Sequence, residues 1–220
     1  MTSKVKWHLS FLRQSGMLVL LVLLLVAVFV VPNFVHAGQD IRLADDTMLT
    51  LILISGVVAM SDHRRHASVL AVLSLLVIVV RWGEWLVPES ALPLFRNVST
   101  LSALLVLAGT VSINVFAAGR AILDRVSGAV VLYLLLGLLW AVAYAAVAAA
   151  VPDAFTGLPR HDNQAADWVY FSFVTLTTVG YGDIVPVARS ARTLAILEAL
   201  VGQLYPAVII ARLVSLQGEK

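Results

Sequence analysis

Thr177-Thr178-Val179-Gly180-Tyr181-Gly182-Asp183, TTVGYGD, is the stretch on which the reading of this chain turns. Glycine adopts backbone conformations that are costly for any residue with a side chain. Gly180 and Gly182, at alternate positions, let a short loop aim successive carbonyls at one axis while Val179 and Tyr181 pack behind it. A cation gives up its water only if oxygens replace it at similar distance and field. The expected ligands are the carbonyls of Thr178, Val179, Gly180 and Tyr181, with the Thr178 hydroxyl as the innermost oxygen. Gly182 closes the ladder, with Thr177 and Asp183 as supports at its two ends. A lone GxG between two helices carries none of this meaning; the flanking sequence supplies it.

Upstream lies a short apolar segment, Ala165–Leu176. Its twelve residues are too few to cross a hydrocarbon core, which takes roughly 20 helical residues, so it is expected to be re-entrant. Longer apolar stretches stand on either side of this hairpin, Val126–Val151 before it and Arg192–Val214 after it. Four more precede them: Met17–Val35, Ile41–Met60, Ala67–Leu86 and Val98–Ala118. The second is the least regular, because it must take in Asp45 and Asp46 to span, which puts them near an interface or facing other helices. The expected fold is an all-α membrane protein of six transmembrane helices plus a re-entrant pore helix and filter loop. Composition agrees: the 220 residues are 60% hydrophobic and 13% charged, with mean hydropathy +0.95. Soluble domains are roughly half apolar and a quarter charged, so the excess points to lipid as solvent. The chain has no cysteine, which excludes disulfides and thiolate metal sites. Its net charge of +2 is too small and scattered for nucleic-acid binding.

The segment Val126–Val214 resembles the pore module of the tetrameric potassium channel superfamily: outer helix, pore helix, filter, inner helix. The resemblance covers about 90 of the 220 residues. It implies a homotetramer in the lipid bilayer with one axial pore, K+ as the permeant ion, and filter carbonyls as its ligands. The six-span layout resembles that of the voltage-gated and cyclic-nucleotide-gated branches, although the first four helices carry no motif of theirs. In the family an aromatic residue of the pore helix often hydrogen-bonds the acid after the filter; Tyr170 and Asp183 match those positions. Val174 stands where some bacterial members have a glutamate, so that acid–acid coupling is absent. Tyr170, Phe171 and Phe173 are expected to wedge the pore helix behind the filter. Its C-terminal end would face a water-filled cavity, where the helix dipole favours a cation, and Asp167 in its first turn suits the opposite pole.

In the inner helix Gly202 lies 19 residues after Asp183, at the family's hinge position, and serves either as hinge or as packing contact. Pro206, one turn on, removes a helical hydrogen bond. Helical spacing puts Gln203, Pro206 and Ile210 on one face, the expected cavity lining. Glu198, five residues before Gln203, should point away from that cavity. An ionisable group inside a membrane helix is a functional candidate by default. Two readings stand for Glu198: a brace behind the filter or pore helix that makes gating pH-sensitive, or a satisfied structural hydrogen bond, with Thr175 as the partner on offer.

Charge sets the expected topology. Nine of the 15 basic residues (Lys4, Lys6, Arg13, Arg64, Arg65, Arg120, Arg125, Arg212 and Lys220) fall on one side, and most acids on the other. The positive-inside rule then places both termini in the cytoplasm and Asp183 outside, in a multi-pass plasma-membrane protein. Arg189 and Arg192 run against the rule, while Trp82 and Trp85 fit an outer aromatic belt. The expected divisions are a cytoplasmic tail 1–16, a four-helix peripheral domain 17–119, a pore domain 126–214 and a short cytoplasmic tail 215–220, with no cytoplasmic ligand-binding domain. The first stretch has a second reading: a basic start, the apolar run Met17–Val31 and Val35-His36-Ala37 before Gly38 also resemble a cleavable signal peptide.

A voltage sensor moves basic residues through the field, at about 2.3 kcal/mol per charge per 100 mV. Val98–Ala118 holds no Lys or Arg; Arg96 and Arg120 lie just beyond it, so little or no voltage dependence is expected. Arg81 and Glu84, three apart, are read as a local ion pair. The function expected is passive, potassium-selective conduction. A pore-loop subunit of a potassium transporter and a non-conducting regulatory subunit are the alternatives. The pattern of an enzyme is missing: no paired carboxylates, no nucleophile–base pair and no metal-ligand cluster, and no small-molecule substrate is expected.

Overall fold

The computed structural model describes residues 16–31, 39–59, 64–83, 93–116, 122–158 and 164–215. Among them, helix α1 covers residues 16–31 and widens to a π-helical stretch at Val26–Val30. Four helices follow: α2 (Gln39–Ala59), α3 (Arg64–Gly83), α4 (Pro93–Phe116) and α5 (Ile122–Ala150). Strand β1 (Phe155–Thr156), helix α6 (Gln164–Leu176), strand β2 (Val185–Pro186) and helix α7 (Arg189–Ser215) complete the order. The helical class agrees with the sequence reading. The two strands add a minimal antiparallel pair, Phe155 opposite Pro186 and Thr156 opposite Val185.

Among the described residues, two helical segments, Arg125–Ala150 and Arg189–Arg212, are long and apolar enough to cross a membrane. Three others are apolar over shorter lengths, Gly16–Val30, Ser68–Gly83 and Asn97–Ile113. Helix α2 starts from Gln39 and holds Asp45 and Asp46, and α4 starts at Pro93, so Arg96 lies in its first turn and not beyond the helix. The rival cleavage site at Val35–Gly38, Trp85, Glu84 and most loop charges lie outside the described residues.

The chain divides into two compact units, Met1–Leu135 and Leu136–Lys220, with the boundary inside α5. In the first, α3 packs against α2 and α4. Its core is aliphatic, with Leu20, Leu24, Leu53, Leu70, Leu104, Leu107 and Val111 buried. Within it, Asp46 and Arg81 form an ion pair at 2.5 Å, and Arg81 also donates to the Thr100 hydroxyl at 3.2 Å. Arg81 on α3 thus has a carboxylate partner on the facing helix α2; the Glu84 that the sequence offered lies outside the described residues. Asp46 faces other helices, the second of the two positions open to it. The indole of Trp82 donates to Thr50 at 3.1 Å.

In the second unit α6 packs against α7. Its core is aromatic: Tyr144 meets Phe171 edge to face at 4.8 Å, and Phe155 meets Trp168 at 4.8 Å and Phe171 at 5.7 Å. Ala154, Ile184 and Ala191 are buried with them. The Ala154 carbonyl accepts from the Val187 and Ala188 amides, so the segment leaving α5 is tied to the segment entering α7.

Candidate functional site

The loop Thr177–Asp183 starts where α6 ends. Four amides bend back onto that helix: Thr177 to the Phe173 carbonyl, Thr178 to Thr175, and both Val179 and Gly180 to Val174. The Thr177 hydroxyl also donates to the Phe173 carbonyl, at 2.6 Å. These bonds consume carbonyls that a helix C-terminus otherwise leaves open. They hold the base of the loop against the negative end of the α6 dipole, with Asp167 in the first turn at the other end.

The backbone then alternates. Thr178 (φ 60°), Gly180 (φ 56°) and Gly182 (φ 77°) are left-handed, while Val179 and Tyr181 between them are not. Strands of uniform φ turn their peptide planes to opposite sides in succession; alternating the hand turns them to the same side. Such a ladder can replace the water of a monovalent cation. The glycines take this conformation freely. Thr178 does not: a β-branched residue at positive φ is strained, by about 1–3 kcal/mol. The sequence reading stopped at the two glycines; the signal for the third position was their own spacing of two, continued back to 178. All of residues 177–183 are exposed on the single chain, with Tyr181 the most open at 72%.

Above the loop, the Tyr170 hydroxyl donates to Asp183 Oδ2 at 2.6 Å, and Asp183 Oδ1 accepts from the Ile184 amide at 3.0 Å. The Tyr170 bond holds the Asp183 carboxyl below the ordinary aspartate range. Phe171 joins the aromatic core, whereas Phe173 lies against Gly137 of α5, where an added Cβ would meet its ring at 2.5–2.9 Å. Arg192, which fitted the charge rule poorly, donates from Nε to the Pro186 carbonyl at 3.2 Å.

On α7, a buried stripe of Ala191, Glu198, Gly202 and Ile209 opposes exposed Gln203, Pro206 and Ile210. A Cβ on Gly202 would lie 1.9 Å from the Leu176 carbonyl oxygen, so close approach of α7 to the end of α6 requires glycine there. Of the two roles open to Gly202, the packing contact is present in the structure. The helix runs unbroken through Pro206, whose missing amide would have served the carbonyl of this same Gly202. Glu198 is fully buried and bonded to Ser172 and Tyr144. The Thr175 that the sequence offered is not its partner; Ser172, one turn earlier on α6, faces the carboxyl instead. Neither Ser172 nor Tyr144 was singled out in the sequence; a serine in an otherwise apolar pore helix was the available signal.

Residues 129–217 match the family model described as Ion channel. The chain is 52% identical over 48 residues to Protein LctB of Geobacillus stearothermophilus, which takes in 22% of this chain and 35% of that protein. It is 39% identical over 77 residues to the inward rectifier potassium channel Kirbac3.1 of Paramagnetospirillum magnetotacticum, 35% of this chain and 24% of that one. It is 37% identical over 67 residues to Two pore potassium channel c of Oryza sativa subsp. japonica, 30% of this chain and 15% of that one. The chain thus spans about a third or less of the length of these relatives.

Proposed function

We propose, from the match of residues 129–217 to an ion-channel family model and the similarity of this segment to potassium channels, that this chain is one subunit of a potassium-selective channel that conducts passively across a membrane. The observation that carries the reading is the alternating backbone of Thr178, Gly180 and Gly182, set at the C-terminal end of a short helix. In this reading the carbonyls of Thr178, Val179, Gly180 and Tyr181 and the Thr178 hydroxyl coordinate K+. Helix α6, 13 residues and about 20 Å long, is re-entrant, because the hydrocarbon core is about 30 Å thick.

Four copies surround one axis. The apolar residues Ile196, Leu197, Leu200, Leu204 and Val208 of α7, exposed on the single chain, then meet neighbouring copies or lipid. Gln203, Pro206 and Ile210 line the cavity below the filter. Helices α1–α4 complete six spans, with both termini in the cytoplasm of a plasma-membrane protein. The chain is a conduit and not an enzyme.

Calorimetric titration of the purified protein tests the filter without flux. Potassium should bind at concentrations where sodium does not, and the particle should have the mass of four chains plus detergent. Equal binding of the two ions, or a monomer, contradicts the reading.

A further inference from the structure

Three oxygen–oxygen contacts run in series through the second unit. The Ser172 hydroxyl oxygen lies 2.7 Å from the Gly137 carbonyl oxygen and 2.5 Å from Glu198 Oε1. The other carboxyl oxygen, Oε2, is in hydrogen-bond contact with the Tyr144 hydroxyl. Each contact at this distance needs one proton between its oxygens; without it, two lone pairs face each other. Two hydroxyls supply two protons, and a carbonyl supplies none. The third proton must come from the carboxyl itself.

The count also fixes direction. Ser172 has one proton, and the Gly137 carbonyl can only accept it. Ser172 must then accept from Glu198 Oε1, and Tyr144 donates to Oε2. Burial agrees: Glu198 is 0% exposed and sits beside the aromatic core, and no basic residue forms a salt bridge with it among the described residues. An unpaired carboxylate in such a place is strongly disfavoured, because burial penalises the charged form.

We propose that Glu198 is a positioning residue that carries its proton in the folded protein. With that proton it completes a one-way chain, Tyr144 to Glu198 to Ser172 to the Gly137 carbonyl, which ties α6 to both α5 and α7. The chain leaves α5 at Tyr144, crosses α7 and α6, and returns to α5 two turns away. It fixes α6, and so the base of the loop 177–183, without placing a negative charge behind it. That last consequence rests on the channel reading; the proton does not.

Infrared difference spectroscopy of the full-length protein in liposomes at neutral pH tests it, with wild type compared against Glu198→Gln. The carbonyl stretch of a protonated carboxylic acid should be present in wild type and missing from the variant. In Ser172→Ala the same band should move to higher frequency, because the acid has lost its acceptor. A difference showing only carboxylate bands, or an acid band unmoved by Ser172→Ala, overturns the proposal. Potassium flux gives the functional arm. The Gln amide donates to Ser172 and accepts from Tyr144, so Glu198→Gln should stay near wild type, while Glu198→Ala should lose on the order of tenfold. Undiminished flux in Glu198→Ala overturns the positioning role. Wild-type protein without flux would instead overturn the channel reading and leave the infrared result to decide the proton.

Discussion

Asp183 shows how one hydrogen bond acts at the end of the candidate filter. Its carboxyl takes the Tyr170 hydroxyl at 2.6 Å, and that bond lowers its proton affinity below the ordinary aspartate value of about 3.9. A depressed folded-state value means that the stabilisation is fully present above the ordinary value and is lost as pH falls through the lowered one. Tyr170→Phe should therefore raise the titration point of Asp183 towards about 3.9, read by NMR of the carboxyl carbon. It should lower thermal stability at neutral pH, and the deficit should vanish in acid. An unmoved titration point would mean that Tyr170 does not set the charge of Asp183. Legibility at this scale was uneven. The Tyr170 and Asp183 positions could be read because the motif TTVGYGD anchors their spacing. The partners of Glu198 and Arg81 could not, because helix rotation and crossing decide which of several polar residues faces a buried charge. Thr175 and Ser172 are only one turn apart on α6, and Asp46 lies 35 residues from Arg81.

Between elements, two glycines set how closely helices meet α6, and they should not be equally sensitive. At Gly202 the obstacle is the Leu176 backbone carbonyl, 1.9 Å from an added Cβ, and α6 would have to move as a whole. At Gly137 it is the Phe173 ring, a side chain that can swing aside. Gly202→Ala should cost about 1–3 kcal/mol of unfolding free energy, and Gly137→Ala less. Denaturant titrations in detergent check the order; a reversed order would mean that the approach at Gly202 is not the tight one. In the first unit, Asp46→Ala strands the Arg81 guanidinium among apolar helices. Because both side chains are largely buried, breaking the pair should cost more than removing both partners, by about 2 kcal/mol or more in a double-mutant cycle. The short lengths of α6 and its loop were readable from apolar run lengths. The starts of α4 and α7 were not: Pro93 and Arg189 extend each helix past its apolar stretch, since helix formation needs backbone bonds and caps, not hydropathy.

For the whole molecule, the two units differ in the chemistry they hold. The Leu136–Lys220 unit holds the loop, its aromatic support and the chain through Glu198. The Met1–Leu135 unit holds the largely buried Asp46–Arg81 ion pair, and α4 has its basic residue, Arg96, in the first turn alone. A helix whose one basic residue stands at its end has little charge to move through an electric field. Conductance in a pure bilayer without blocking ions should accordingly change little with voltage; a steep curve would require a sensor elsewhere. The claim on which everything else depends is ion choice, and ion flux into liposomes containing the purified full-length protein tests it most directly. Potassium should enter far faster than sodium under the same gradient, and Gly180→Ala, which strains the alternating backbone, should abolish the difference or the flux. Equal potassium and sodium entry through the wild-type protein would contradict the account.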